Sequence, residues 1–371
     1  MTEDAADFEW RGEGEGAEVV LYAPNSTVAE ASFDRALPAT RLPGVTSPVY
    51  AVASTREARE ERSFGWVAAS ETHVAPDLIS APEWGLLLVA DAPVAGVLGE
   101  PGEVPRLISR RLSEVALPGL RSAAEVRAIS ESGASWTAEE GLIEEEDLPL
   151  LAPSVADPDA LGRRSLSSGA RDWTRPGTLR SFRTTQILHL DRAEELGLEA
   201  GALALVVLVG AEDLGRLALA GHRERISART ASGDFGVPGD LPVAPVDSEE
   251  ARDLLAASGA AANYAAGRLA LVVYALRRAL GGDVGALRLR VAWKIGGLEK
   301  RNGTILHRDG LAAAKEAEAL VSGRSVAAGT GEMLESAPPF DVAEEDGRWP
   351  WEEAGILTRL ATLEPLGDPL A

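Results

Sequence analysis

Residues 177–215 read GTLRSFRTTQILHLDRAEELGLEAGALALVVLVGAEDLG, and the apolar run inside them sets the reading of the fold. Leu203–Gly210 carries no polar residue, which predicts a strand covered on both faces and central in its sheet. The whole run, Ala202 to Val209, is far too short for a bilayer, which takes roughly 20 apolar residues. Downstream, Asp247 and Glu250 form an Asp-x-x-Glu capping pair, so a helix is expected to start there and run past Tyr274. Arg277 and Arg278 suit its C-terminal dipole, and Gly281-Gly282 is expected to stop it. Leu287–Trp293 alternates Leu-Arg-Leu-Arg-Val-Ala-Trp, the pattern of a half-buried strand. Asn302-Gly303 then marks a tight hairpin into Thr304–Arg308.

Upstream, shorter β-like runs lie at Glu18–Tyr22, Val49–Ala53, Phe64–Ala69 and Gly85–Ala90, separated by Pro and Gly. Glu9 to Glu15 reads as a flexible acidic lead-in, since no Lys-Ser/Thr ending makes its glycines a phosphate loop. The acidic run Glu144–Asp147 reads as a solvated loop, and Pro153–Pro176 as a connecting segment. Many short strands with few long helices predict an α+β fold of mixed or antiparallel sheets with flanking helices.

Composition narrows the chemistry. The 371 residues contain no cysteine and four histidines, His73, His189, His222 and His307, so thiolate sites and disulfides are excluded and a histidine-rich metal cluster is hard to assemble. Carboxylates could still hold a hard cation. The net charge of −22 argues against broad affinity for nucleic acid, which requires dense Lys and Arg surfaces. Only three lysines occur, Lys294, Lys300 and Lys315. The acidic N-terminus lacks a basic-then-apolar signal pattern, so a cytoplasmic protein with no membrane partner is expected.

Residues 177–215 resemble the central metal-binding stretch of the RtcB family of RNA ligases, close to GTLGSGNHFLEV…LGL…G…VVMIHSGSRGLG. The resemblance extends in order along the chain. PGVTSPVYAVA at 43–53 and the stretch 65–88 are similar to the family's run from PGV…MPDVH to GxDIGCGM. PVAPVDSEEARDLLAASGAAANYAAG at 242–267 is similar to AP..S.EG..YL.AM..AANYA.ANR. VAWKIGGLEKRNGTILHRDGL at 291–311 is similar to DVAHN…E…G..VHRKGA, and 359–371 to the terminal RL.PLGV.KG. The resemblance implies a lead-in with the first strands at 1–39 and one large RtcB-like domain at 40–371.

Family members join an RNA 3′-phosphate to a 5′-hydroxyl through a guanylylated histidine, with two manganese ions. The resemblance places the family's Asp ligand at Pro82 and its Cys ligand at Gly85. The Asn-His pair falls on Arg183-Thr184, the second metal histidine on Leu208, the histidine of DVAHN on Trp293, and the C-terminal lysine on Leu370. No histidine follows His307, so the nucleophile has no counterpart. Metal catalysis needs fixed ligands and a covalent step needs a nucleophile. The resemblance therefore implies a pseudoenzyme that uses neither GTP nor manganese. It would bind or regulate in RNA repair, with an active RtcB ligase or another RNA-repair factor as partner. Two alternatives stay open: an active ligase or nucleotidyl-transfer variant with relocated ligands, and a fold reused for a small ligand near Thr184, Leu208 and Trp293.

Remaining residues carry paired readings. Arg180 and Arg183, with Arg171 and Arg175, line an anion cleft or form a salt-bridged loop. His307 and Arg308 keep part of HRKGA, as a residual nucleotide or phosphate contact or as a strand end. Lys294 is expected at the surface, with a cation inside an emptied metal site as the alternative. His189 reads as structural, and His73 and His222, without partners at ligand spacing, as structural or surface residues. Trp349-Pro350-Trp351 is a partner anchor or packs on its own surface.

Overall fold

The computed structural model describes residues 8–23, 26–53, 64–93, 111, 114–120, 122–173, 202–235, 240–301, 303–313, 325–327, 333–336 and 361–362. Arg175, Arg180, Arg183, Thr184, His189, Trp349, Pro350, Trp351 and Leu370 lie outside the described residues. The strands are β1 (Phe8–Glu13), β2 (Glu18–Ala23), β3 (Val45–Ala53), β4 (Phe64–Ser70), β5 (His73–Val74), β6 (Glu83–Pro93) and β7 (Ala202–Gly210). They continue with β8 (Ala244–Pro245), β9 (Leu287–Arg301), β10 (Thr304–Ala313), β11 (Ser325–Ala327), β12 (Met333–Ser336) and β13 (Ala361–Thr362). The helices are α1 (Ser26–Thr40), α2 (Ala123–Ser132), α3 (Ala134–Glu139), α4 (Gly162–Asp172), α5 (Glu212–Ala231) and α6 (Glu249–Val284).

Among the described residues, eleven strands form one mixed sheet in the order β1-β2-β3-β4-β10-β9-β6-β7-β13, with β11 and β12 hung from β10, and β5 pairs with β8 apart from it. The pair β2–β3 is parallel and the other pairs are antiparallel. The parallel pair needs a crossover, and α1 supplies it. Val19, Leu21 and Ala23 alternate along β2 and share a core with Ala29, Ala36 and Ala39 of α1. A second core joins Trp84, Leu86, Leu88 and Ala90 of β6 to the buried residues of α6. The expected α+β class stands, and each strand expected from alternation or apolar run is present.

Three expectations change. Glu9–Glu15 is not a flexible lead-in, because β1 pairs with β2 along its length from Phe8↔Ala23 to Glu13↔Glu18. An acidic segment forms a strand here because ladder pairing satisfies its backbone, and Trp10 packs against the α1 core. Nor is β7 central among the described residues: beyond it they place only β13, paired at Ala361↔Ala204 and Thr362↔Leu203. A continuous apolar run reports cover on both faces, not rank within the sheet. Pro153–Pro176 is in part helical, since Gly162–Asp172 forms α4.

The long helix α6 also differs at both ends. Its N-cap is Ser248, whose Oγ accepts from Ala251 N at 3.2 Å, so Asp247 lies one residue outside. Glu249 and Glu250 complement the positive end of the dipole. Gly281 and Gly282 do not stop it. Each weakens the helix by about 1 kcal/mol, and burial of Leu280 and its neighbours outweighs that. The stop is Gly285, at φ +71, a left-handed conformation that favours glycine. No helix among the described residues is long and apolar enough to cross a membrane.

Candidate functional site

Register brings three of the sequence-derived positions together. Gly85 in β6 pairs with Leu208 of β7 on one side and with Trp293 of β9 on the other. Adjacent strands lie about 4.8 Å apart, so Leu208, Gly85 and Trp293 form a single row across the sheet. Pro82 stands just ahead of β6, where its carbonyl accepts from Ala211 N at 2.9 Å. Glycine and proline offer no side-chain ligand, leucine only hydrocarbon, and tryptophan only an N–H donor. Manganese does not fit this residue set.

A second site lies on the face of β6 and β9 that packs on α6. Between Leu87 and Leu88 the β6–β9 register slips, leaving Arg290 of β9 as an extra residue. A bulge of this kind reverses which residues face inward. Leu287 and Leu289 are buried ahead of it, and Lys294 follows on the same side. Lys294 is therefore not on the surface as expected. Its Nζ donates to Ser154 Oγ at 2.8 Å and sits 5.3 Å from the Trp84 ring centroid. Burial lowers its pKa, and Glu299 partly restores it.

Past Lys294 come Gly296 at φ +68 and Gly297 at φ +78. Two successive left-handed residues in a strand are tolerable only as glycines. They carry β9 close to its supports: Gly297 N donates to Ser80 O at 3.1 Å and Leu298 N to Ser258 Oγ at 2.9 Å. Glu299 follows, and its carboxylate is shared by Arg301 and Arg308. Burial alone would raise its pKa, but Arg308, Arg301 and Lys294 hold it at about 2. Arg308 is 1% exposed, and its Nε meets no hydrogen-bond partner. Lys294, Glu299 and Arg308 border a cavity of about 540 Å³ between α6, β9 and the segment 153–155, with Arg252 and Lys300 also on its wall.

Asn263 of α6 holds that wall in place. Its Oδ1 accepts from Ser154 N at 2.7 Å. Its Nδ2 donates to Ser130 O at 3.2 Å, Glu131 O at 3.0 Å and Ser154 O at 3.1 Å. One turn earlier, Gly259 lets the backbone of Val155 approach so closely that a Cβ would collide with the Val155 carbonyl oxygen. Gly259→Ala is therefore expected to lower stability by about 1–3 kcal/mol in chemical denaturation. Gly221→Ala in α5, where a Cβ meets open space, is expected to be neutral or stabilising.

His307 and Arg308 are neighbours in β10 but take different surroundings. Arg308 reaches the cavity, whereas the His307 ring is fully buried and its Nε2 accepts from Ala75 N at 3.0 Å. The proton then sits on Nδ1, facing the backbone of Ile305 and Ala68 without reaching hydrogen-bond geometry. Burial pushes its pKa down to about 4, so a neutral His307 contributes no positive charge to the cavity. Arg171 in α4 is exposed. His222 is buried, with Nε2 2.8 Å from Ala160 O and Nδ1 2.7 Å from Arg225 Nη2. His73 sits in β5 beside Thr72, whose Oγ1 is 2.9 Å from its Nδ1. Both fit the structural reading.

The acidic run splits. Glu144, Glu145 and Glu146 are exposed, but Asp147 is buried and pairs with Arg277 at 2.7 Å. The solvated-loop expectation fails for Asp147, because Arg277 on α6 draws it inward. Among the described residues no three His, Asp or Glu side chains gather as a metal-binding group. No family model and no curated protein matches the chain.

Sequence reasoning missed Glu299, Asn263, Ser154 and the placement of Lys294. Asn263 carried a signal, as a lone amide in the small-residue run Ala260-Ala261-Ala262. Lys294 carried none, because the bulge at Arg290 is set by pairing.

Proposed function

We propose that this chain is an RtcB-like protein without ligase chemistry, acting by binding or regulation in RNA repair or processing. The observation that carries the reading is the row Leu208–Gly85–Trp293. The three positions were matched to metal ligands in separate, distant segments of the chain. Ligands of a shared metal centre have to meet in space, and register on adjacent strands supplies that meeting. The side chains at those positions cannot coordinate, so the chain keeps an arrangement suited to a metal centre while lacking its donors. An active RtcB ligase or another RNA-repair factor is the proposed partner.

The full-length protein is expected to remain unlabelled after incubation with labelled GTP and manganese. It is also expected not to join an RNA 3′-phosphate to a 5′-hydroxyl end. Covalent label or joined product would overturn the non-catalytic reading. In a second arm, the tagged protein is expected to co-purify with an RNA ligase or RNA-repair protein from its own cells. Failure to retain any ligase or RNA would sink the proposed role.

A further inference from the structure

Lys294 lines the cavity with a nitrogen that no carboxylate holds. Among the described residues, its Nζ has no Asp or Glu oxygen within ion-pair distance, and its hydrogen bond goes to the neutral Ser154 Oγ at 2.8 Å. Glu299, the carboxylate on the same wall, is engaged elsewhere: Oε1 accepts from Arg301 and Oε2 from Arg308. The Trp84 ring centroid lies 5.3 Å from Nζ.

An ammonium group withdrawn from water stays charged only where an anion or a full set of acceptors replaces that water. A single hydroxyl and an indole face favour the ammonium form less than the lost water did. Burial therefore moves the Lys294 pKa down; Glu299 opposes this through space, and Arg308 and Arg301 add to it. The neutral amine gains population, and its lone pair is a nucleophile. An exposed lysine, with a pKa of about 10.4, is almost wholly protonated at neutral pH. The space in front of the amine suits a small organic molecule. It measures about 540 Å³, and Val246, Leu255, Ala262 and Leu298 give it an apolar lining beside Lys294.

We propose that Lys294 is a nucleophilic amine that forms an imine with a small apolar aldehyde bound in this cavity. The Nζ lone pair attacks the carbonyl carbon, a C–N bond forms, and the C=O π pair moves onto oxygen. One N–H proton reaches that oxygen by way of the Ser154 hydroxyl, which already accepts from Nζ, and a neutral carbinolamine results. The oxygen then leaves as water with the second N–H proton, and the nitrogen lone pair closes the C=N bond. One aldehyde is consumed and one water released, with no oxidant or reductant. The site lies on the α6 side of the sheet, while Gly85, next in the strand to the α6-facing Trp84, belongs to the opposite face. The proposal therefore does not depend on the RNA-ligase reading.

The test is reductive labelling of the full-length protein with benzaldehyde and cyanoborohydride at neutral pH, which fixes each imine as a benzylamine. The peptide 291–301, released by cleavage after arginine, carries both Lys294 and Lys300, and tandem mass spectrometry tells them apart. Lys300 is exposed and serves as the internal reference. In the folded protein Lys294 is expected to be benzylated at least tenfold faster than Lys300, and in urea-unfolded protein at a similar rate. Equal or faster labelling of Lys300 in the folded protein, or a preference for Lys294 that persists in urea, would overturn the proposal. Leu255→Trp fills the apolar end of the cavity and leaves the amine in place. It is expected to slow Lys294 at least tenfold and to leave Lys300 unchanged. A variant with the native circular dichroism spectrum that labels Lys294 as fast as the parent does would place the reaction outside the cavity. The comparison of folded with unfolded wild-type protein decides even if that variant fails to fold.

Discussion

Asn263→Asp is expected to destabilise the protein by about 3 kcal/mol or more, the range for disrupting a buried polar network. The change is isosteric, so packing cannot explain the loss. Asn263 is fully buried, and its Nδ2 faces the carbonyls of Ser130, Glu131 and Ser154. Aspartate would turn that donor into a fourth oxygen among three. Chemical denaturation of Asn263→Asp beside Asn263→Ala measures the effect. Alanine removes the hydrogen bonds without adding repulsion, so aspartate should be the worse of the two. A milder aspartate variant would contradict the donor assignment.

Glu299→Gln is expected to be comparably damaging and to change how stability responds to acid. The carboxylate is held at about 2 against an ordinary 4.5. At roughly 1.4 kcal/mol per pH unit this corresponds to about 3 kcal/mol. The folded pKa lies below the unfolded one, so the native state binds fewer protons in between. The contribution is complete above about 4.5 and is lost as pH falls through about 2. Urea denaturation across that window should show a steep loss in the wild-type protein and a shallower one in Glu299→Gln. Parallel slopes in the two proteins would disprove the linkage. At neutral pH the variant leaves Lys294, Arg301 and Arg308 facing one another, and breaking a buried pair on one side costs about 3–5 kcal/mol.

Much of the sheet was legible because alternation and apolar runs report burial directly. Glu18–Tyr22, Phe64–Ala69 and Leu287–Trp293 announce strands, and Asn302-Gly303 announces the connection between β9 and β10. Helix ends were harder to read. Ser248 and Asp247 are both good caps, and only the backbone decides which side chain meets Ala251 N. The pair Gly281-Gly282 resembles a stop, yet packing of Leu280 carries the helix on to Gly285. The row across β7, β6 and β9 was half visible, since resemblance marked each member but not their adjacency.

The sequence by itself determined the class of the fold, the positions of its main strands, and the absence of cysteine and of any histidine beyond His307. These follow from local side-chain chemistry and periodicity. Only the tertiary structure decided which strands are neighbours, and therefore that Leu208, Gly85 and Trp293 meet. It also decided the burial of Arg308 against Glu299 and the inward placement of Lys294, the latter through a bulge at Arg290 that reverses the facing of β9. A bulge is a property of two paired strands and is written in neither alone, so charges that look like surface residues end up lining a cavity.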